Sequence, residues 1–215
     1  MNDKSESEIS KLISTLDSSR RPSLLDNYLK PNTQYIQRPK QFNRLAKEAV
    51  KIFEKLRDEL NLKHIKSATI RTGSGFLINT EKYNIKDINR DNFMEVIDFD
   101  PVRNNMMVIG TEPPANDASI HWFIYRGLPE VNGIIVIDDS EIFERFKAGG
   151  FSMVENNDEI LNLNLALEIL KCIRDSEISL IDTRDLKGIV IRDRTLAGAF
   201  NLFKNNHEKY LSLSK

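Results

Sequence analysis

The sequence predicts an α/β sandwich, one sheet with helices on both faces. Three observations support this. The hydrophobic period changes along the chain, from apolar spacings of three and four over about 40–60 to short β-branched runs at 65–71 and 75–79. Residues 133–137, Gly-Ile-Ile-Val-Ile, form an unbroken apolar run, as expected of a strand buried on both faces. Finally, the order of elements is one helix, several strands, a helix, a strand, helices, two strands and a helix, which suits α/β layers. A chain of 215 residues is long enough for one large domain with a sizeable core.

Each element has its own signal. Over 5–17, Ser5 and Glu8 have capping-box spacing and Ile9, Leu12, Ile13 and Leu16 share a face, so a short helix is predicted. Residues 18–40 contain Pro22, Pro31 and Pro39 among polar neighbours and read as a linker or extended arm. The arm, 1–40, is thus set apart from a domain at 41–215. The helix at about 40–60 places Phe42, Leu45, Ala46, Ala49, Phe53, Leu56 and Leu60 on one side. Thr72-Gly73-Ser74-Gly75 then joins two strands as a hairpin. Strands follow at 93–99 and 105–109, and a helix at about 116–128 stops before Pro129. Ser140 suits the N-cap of a short helix that Gly149-Gly150 ends. A helix at 159–174, strands at 177–182 and 187–192, and a helix at about 194–211 complete the chain.

The charges balance, with 31 basic against 32 acidic residues and a net charge of −1, so nothing electrostatic points to nucleic acid or acidic lipid. No apolar run approaches the ~20 residues of a membrane span. The N-terminal Met-Asn-Asp-Lys-Ser-Glu has no apolar core of a signal peptide, so a cytoplasmic protein is expected. The single cysteine, Cys172, excludes an intramolecular disulfide and is expected to be a small buried hydrophobe. The three histidines, His64, His121 and His207, have no H-x-H or i, i+4 pairing among themselves, and a surface or packing role is expected for each.

An ordered series of short segments points further. Gly75-Phe76-Leu77-Ile78 is followed by Asp87–Asp98. Then come Pro114-Ala115-Asn116-Asp117 with His121 and Tyr125 behind, and next Arg126-Gly127-Leu128-Pro129-Glu130-Val131-Asn132-Gly133-Ile134-Ile135. Arg194-Thr195-Leu196 with Ala199-Phe200 closes the series. In this order they resemble the class II aldolase/adducin head family, over roughly residues 41–215. The resemblance implies a three-layer αβα sandwich with a central, mostly antiparallel sheet, usually assembled as a homotetramer. It also implies an enzyme chemistry in which zinc, held by three histidines, stabilises an enediolate while a glutamate moves the proton.

The residues at the corresponding places are different here. The three zinc ligands correspond to Val136, Asp138 and Lys187, so no metal site and no cofactor are expected. The acid/base glutamate corresponds to Asp117. The phosphate-binding segments correspond to Lys66-Ser67-Ala68-Thr69, Asn79-Thr80-Glu81-Lys82 and Ala115-Asn116. Ser67, Asn116 and Lys82 remain as candidate contacts for a small polar ligand. In this reading the Lys187 ammonium stands near the place of the metal, paired with one or both of Asp138 and Asp117, as an inert salt bridge or as a base or Schiff-base nucleophile. The expected function is a class II aldolase-like protein without zinc-dependent aldolase activity. It would be a pseudoenzyme in a structural, interaction or small-ligand-binding role. The alternative is a metal-independent lyase or isomerase acting on a sugar or keto acid.

Overall fold

The computed structural model describes residues 30–36, 44–156, 161–184 and 186–213. The helix predicted at 5–17 lies outside these, as does most of the arm. The strands are β1 (Asn32–Ile36), β2 (Ser67–Arg71), β3 (Phe76–Asn79), β4 (Phe93–Asp100), β5 (Asn105–Ile109), β6 (Gly133–Ile137), β7 (Ser152–Asn156), β8 (Ile178–Thr183) and β9 (Lys187–Asp193). The helices are α1 (Leu45–Leu60), α2 (Ala118–Gly127), α3 (Ser140–Ala148), α4 (Leu163–Asp175) and α5 (Leu196–Leu213). The strands form one sheet in the order β1-β5-β4-β3-β2-β6-β9-β8-β7. Only the outermost pairs, β1 with β5 and β7 with β8, are parallel; the others are antiparallel.

Two apolar layers enclose this sheet. On one face, Ile134, Val136 and Val190 join Phe123 and Ile124 of α2 and Leu165, Ile169 and Leu170 of α4. On the other, Ile135, Ile137, Ile189 and Ile191 join Phe53 and Leu56 of α1, Phe143 and Phe146 of α3, and Phe200 and Phe203 of α5. Strand β6 contributes alternate residues to both layers, which is why its sequence is apolar without a break. Helix α2 is buried on nearly every side, leaving only Arg126 exposed, so it too is apolar all round. Asn61, with φ of 54°, ends α1 in the left-handed conformation.

Four expectations are corrected. Residues 32–36, read as part of a linker, form β1. Strand β7 was not foreseen. The N-cap of α3 is Asp139, not Ser140: its carboxylate accepts from the N–H groups of Glu141 and Ile142. Cys172 is half-buried rather than fully buried, and burial raises its thiol pKa.

Candidate functional site

Helix α2 runs along β2, and a line of polar side chains crosses between them inside the core. On the helix, Asp117 at the N-cap, His121 and Tyr125 recur every four residues, on one face. On the strand, Ser67, Thr69 and Arg71 recur every two, also on one face. The two sets interleave. Ser67 Oγ lies 2.7 Å from Asp117 Oδ2 and 2.8 Å from His121 Nε2. Thr69 Oγ1 lies 2.9 Å from His121 Nδ1 and 2.8 Å from the Tyr125 hydroxyl. Arg71 finishes the line: its guanidinium donates to the carbonyls of Tyr125, Leu128 and Val131 and lies 4.6 Å from the centre of the Tyr125 ring. The Phe76 ring packs beside both His121 and Tyr125.

Ser67, Thr69 and His121 are fully buried and Asp117 is 1% exposed. Burial alone raises the pKa of Asp117. Hydrogen bonding from His121, the nearby Lys66 ammonium and the Ser67 hydroxyl outweigh it and hold the carboxyl below the usual aspartate range. Its second oxygen, Oδ1, is buried with no hydrogen-bond partner among the described residues. Tyr125 is raised, by burial above all, so it keeps its proton.

The candidates named from sequence do not converge on one point. Asp117 and Ser67 meet directly. Asp138 follows β6 and pairs with Lys66 at 3.9 Å; Lys66 is mostly buried and also acts on Asp117. Lys187 lies elsewhere. Alternation along β9 puts it on the face of Ile189, where its ammonium sits 4.4 Å from the centre of the Phe143 ring, 3.3 Å from Glu144 and 3.5 Å from Asp182. The expected pairing of Lys187 with Asp138 is therefore corrected: Lys187 pairs with Glu144 and Asp182, and the ammonium paired with Asp138 belongs to Lys66. The two carboxylates around Lys187 raise its pKa, although desolvation, the largest single influence, acts the other way.

Asn116 and Lys82 are exposed, unlike the buried residues of the line. Asn116 borders a cleft of about 190 Å³ with Lys30, Thr33, Glu81, Met106 and Ser119, and Ser67 is not part of its lining. His121 was expected to be a surface or packing residue; it is buried beside Phe76 and hydrogen-bonded through both ring nitrogens. Its i, i+4, i+8 relation to Asp117 and Tyr125 was the available signal.

The three positions that resemble zinc ligands do not suit the metal. The Val136 side chain has no donor atom and packs in the core beside Ser67, its partner across the β2–β6 pair. Lys187 is on the far face. Among the described residues no three His, Cys, Asp or Glu side chains are grouped to hold a metal ion.

No family model matches the sequence, and no curated protein is similar to it in sequence. Solved structures are similar in fold. YgbL from Escherichia coli superposes with a TM-score of 0.62 at 12% identity, over 77% of this chain and 86% of that one. An L-fuculose 1-phosphate aldolase gives 0.62 at 16% identity, over 79% and 85%. The N-terminal class II aldolase domain of a protein from Thermoplasma acidophilum gives 0.58 at 13% identity, over 83% and 97%. The expected fold is thus the observed one: this chain has the class II aldolase fold.

Proposed function

We propose that the chain uses the class II aldolase scaffold without zinc, binding a small polar ligand or acting as an interaction subunit rather than cleaving sugar phosphates by a metal-dependent route. One observation supports this most: of the three ligand-like positions, one side chain has no donor atom and another lies on the opposite face of the sheet, held by two carboxylates. Zinc requires deprotonated donors converging on one point. The test is elemental analysis of the purified chain, followed by titration with zinc. Less than a tenth of an equivalent bound, with no retro-aldol cleavage of fuculose 1-phosphate when zinc is added, is the expected result. One equivalent that resists dialysis would overturn it.

A metal-independent lyase or isomerase is the second reading, and the buried Asp117 carboxylate with an unpartnered Oδ1 favours it. Lys187 suits it poorly as a Schiff-base nucleophile, because its neighbours keep it protonated. Borohydride trapping with keto-acid or sugar substrates is expected to label neither Lys187 nor Lys66. Covalent labelling of either would bring this reading to the front. Homo-oligomerisation, as a tetramer, belongs to the same proposal and is read by light scattering.

A further inference from the structure

The line of hydroxyls, imidazole and carboxylate between α2 and β2 leaves little choice about where its hydrogens sit. The Tyr125 hydroxyl has two acceptors in reach, Thr69 Oγ1 at 2.8 Å and the Asn132 carbonyl at 3.5 Å. It donates to the nearer. Thr69, having accepted, sends its own hydrogen to His121 Nδ1, its other partner at 2.9 Å. That nitrogen is then an acceptor, so the imidazole proton is on Nε2 and points to Ser67 Oγ at 2.8 Å, closer than the 3.5 Å to Asp117. Ser67 in turn donates to Asp117 Oδ2 at 2.7 Å. In the reverse direction Ser67 would donate to Nε2. Asp117 would then be a buried carboxylate without the Ser67 hydrogen, and Tyr125 would depend on the long contact to Asn132. With a neutral ring and an ionised Asp117, only the forward direction supplies every short contact with a hydrogen, and it alone spares Tyr125 the long contact to Asn132.

We propose that Tyr125, Thr69, His121 and Ser67 form a one-way chain of donors that fixes His121 as the neutral Nε2–H tautomer and delivers the Ser67 hydrogen to Asp117, holding that carboxylate ionised with Oδ1 as its open acceptor. His121, Thr69 and Tyr125 are then positioning residues, acting on Asp117 through Ser67. The inference rests on Asp117 being the carboxylate of the site. The charged and titratable groups facing the line are Asp117 and Tyr125 on α2, Arg71 on β2 over the Tyr125 ring, Lys66, which acts on Asp117 from just before β2, and Tyr83, whose hydroxyl feels the Asp117 charge; the Phe76 ring of β3 adds no charge. Packing alone does not require a particular tautomer, so the tautomer is what separates the two views of His121.

The test uses the full chain labelled with 15N in histidine, read by long-range 1H–15N correlation of the imidazole at neutral pH. The His121 ring is expected to carry its hydrogen on Nε2 with Nδ1 bare. The opposite tautomer, or a doubly protonated ring, would overturn the proposal, and this measurement needs no variant to fold. A pair of substitutions gives an independent reading. His121→Gln leaves an N–H near the position of Nε2, and His121→Asn leaves one only near Nδ1. The carboxyl-carbon titration of Asp117 is expected to stay at its wild-type midpoint in His121→Gln and to move upward in His121→Asn. Equal midpoints in the two variants would sink the idea. Neither readout depends on metal content or turnover, so this inference and the proposed loss of zinc chemistry can fail separately.

Discussion

Acid acts on individual buried groups here, and His207 is the first it meets. The ring is buried and stacked on Phe203 at 5.6 Å. Burial, and then the Arg145 charge, push its pKa down against the weaker pull of Asp139 and Glu208. The folded state therefore keeps it neutral at a pH where the unfolded chain, near the ordinary histidine value of about 6.5, takes up a proton. Stability falls as the pH drops below that value. Asp117 behaves as a carboxylate: its folded pKa lies below the unfolded one, so its contribution is present above about pH 3.9 and is lost as the pH falls through the folded value. In urea melts the unsubstituted chain is expected to weaken between pH 7 and 5.5, and His207→Phe to weaken less; an unchanged slope would contradict this assignment. At this scale the sequence was half legible. The spacing of Asp117, His121 and Tyr125 and that of Ser67, Thr69 and Arg71 were both present in it. Their meeting was not, because it depends on a helix and a strand some 50 residues apart. For Lys187 the missing information was similar: alternation along each strand is readable, but which face of β6 matches which face of β9 follows only from the register of the pair.

Between elements, two contacts set how helices sit on the sheet. A Cβ on Gly133 would lie 2.2 Å from the Leu196 backbone nitrogen and 2.4 Å from its Cα. The start of α5 therefore rests against the start of β6 with no room for a methyl group. Gly133→Ala is expected to cost about 3 kcal/mol or more in chemical denaturation, at or above the top of the usual overpacking range because backbone must move. Arg71 does the corresponding work for α2, satisfying carbonyls of the last turn and of the loop behind it. Lysine cannot reproduce that fork, and Arg71→Lys is expected to cost about 2 kcal/mol, measured the same way. The central elements were readable because both their faces are apolar or their stripe is clear. Strands β1 and β7 were not: Asn-Thr-Gln-Tyr-Ile and Ser-Met-Val-Glu-Asn alternate weakly, since edge strands bury little and need little apolar surface to form.

For the whole molecule, the sheet has a firm middle and lightly held margins. Strand β6 is buried at every residue, whereas β1 and β7 have no fully buried position. Amide exchange followed by mass spectrometry is expected to be fastest in 32–36 and 152–156 and slowest in 133–137; equal protection would show that the margins are held by something besides the sheet. The line of contacts between α2 and β2 has a further consequence. Four helical residues advance about 6 Å and two strand residues about 6.7 Å. The two rows therefore mesh like the marks of a vernier, nearly coinciding over three teeth and drifting out of step beyond. A helix engaged in this way cannot creep along the sheet by small amounts. It is either in gear or displaced by a whole tooth, and a displaced tooth would set Asp117 against Thr69 and leave Ser67 without its carboxylate.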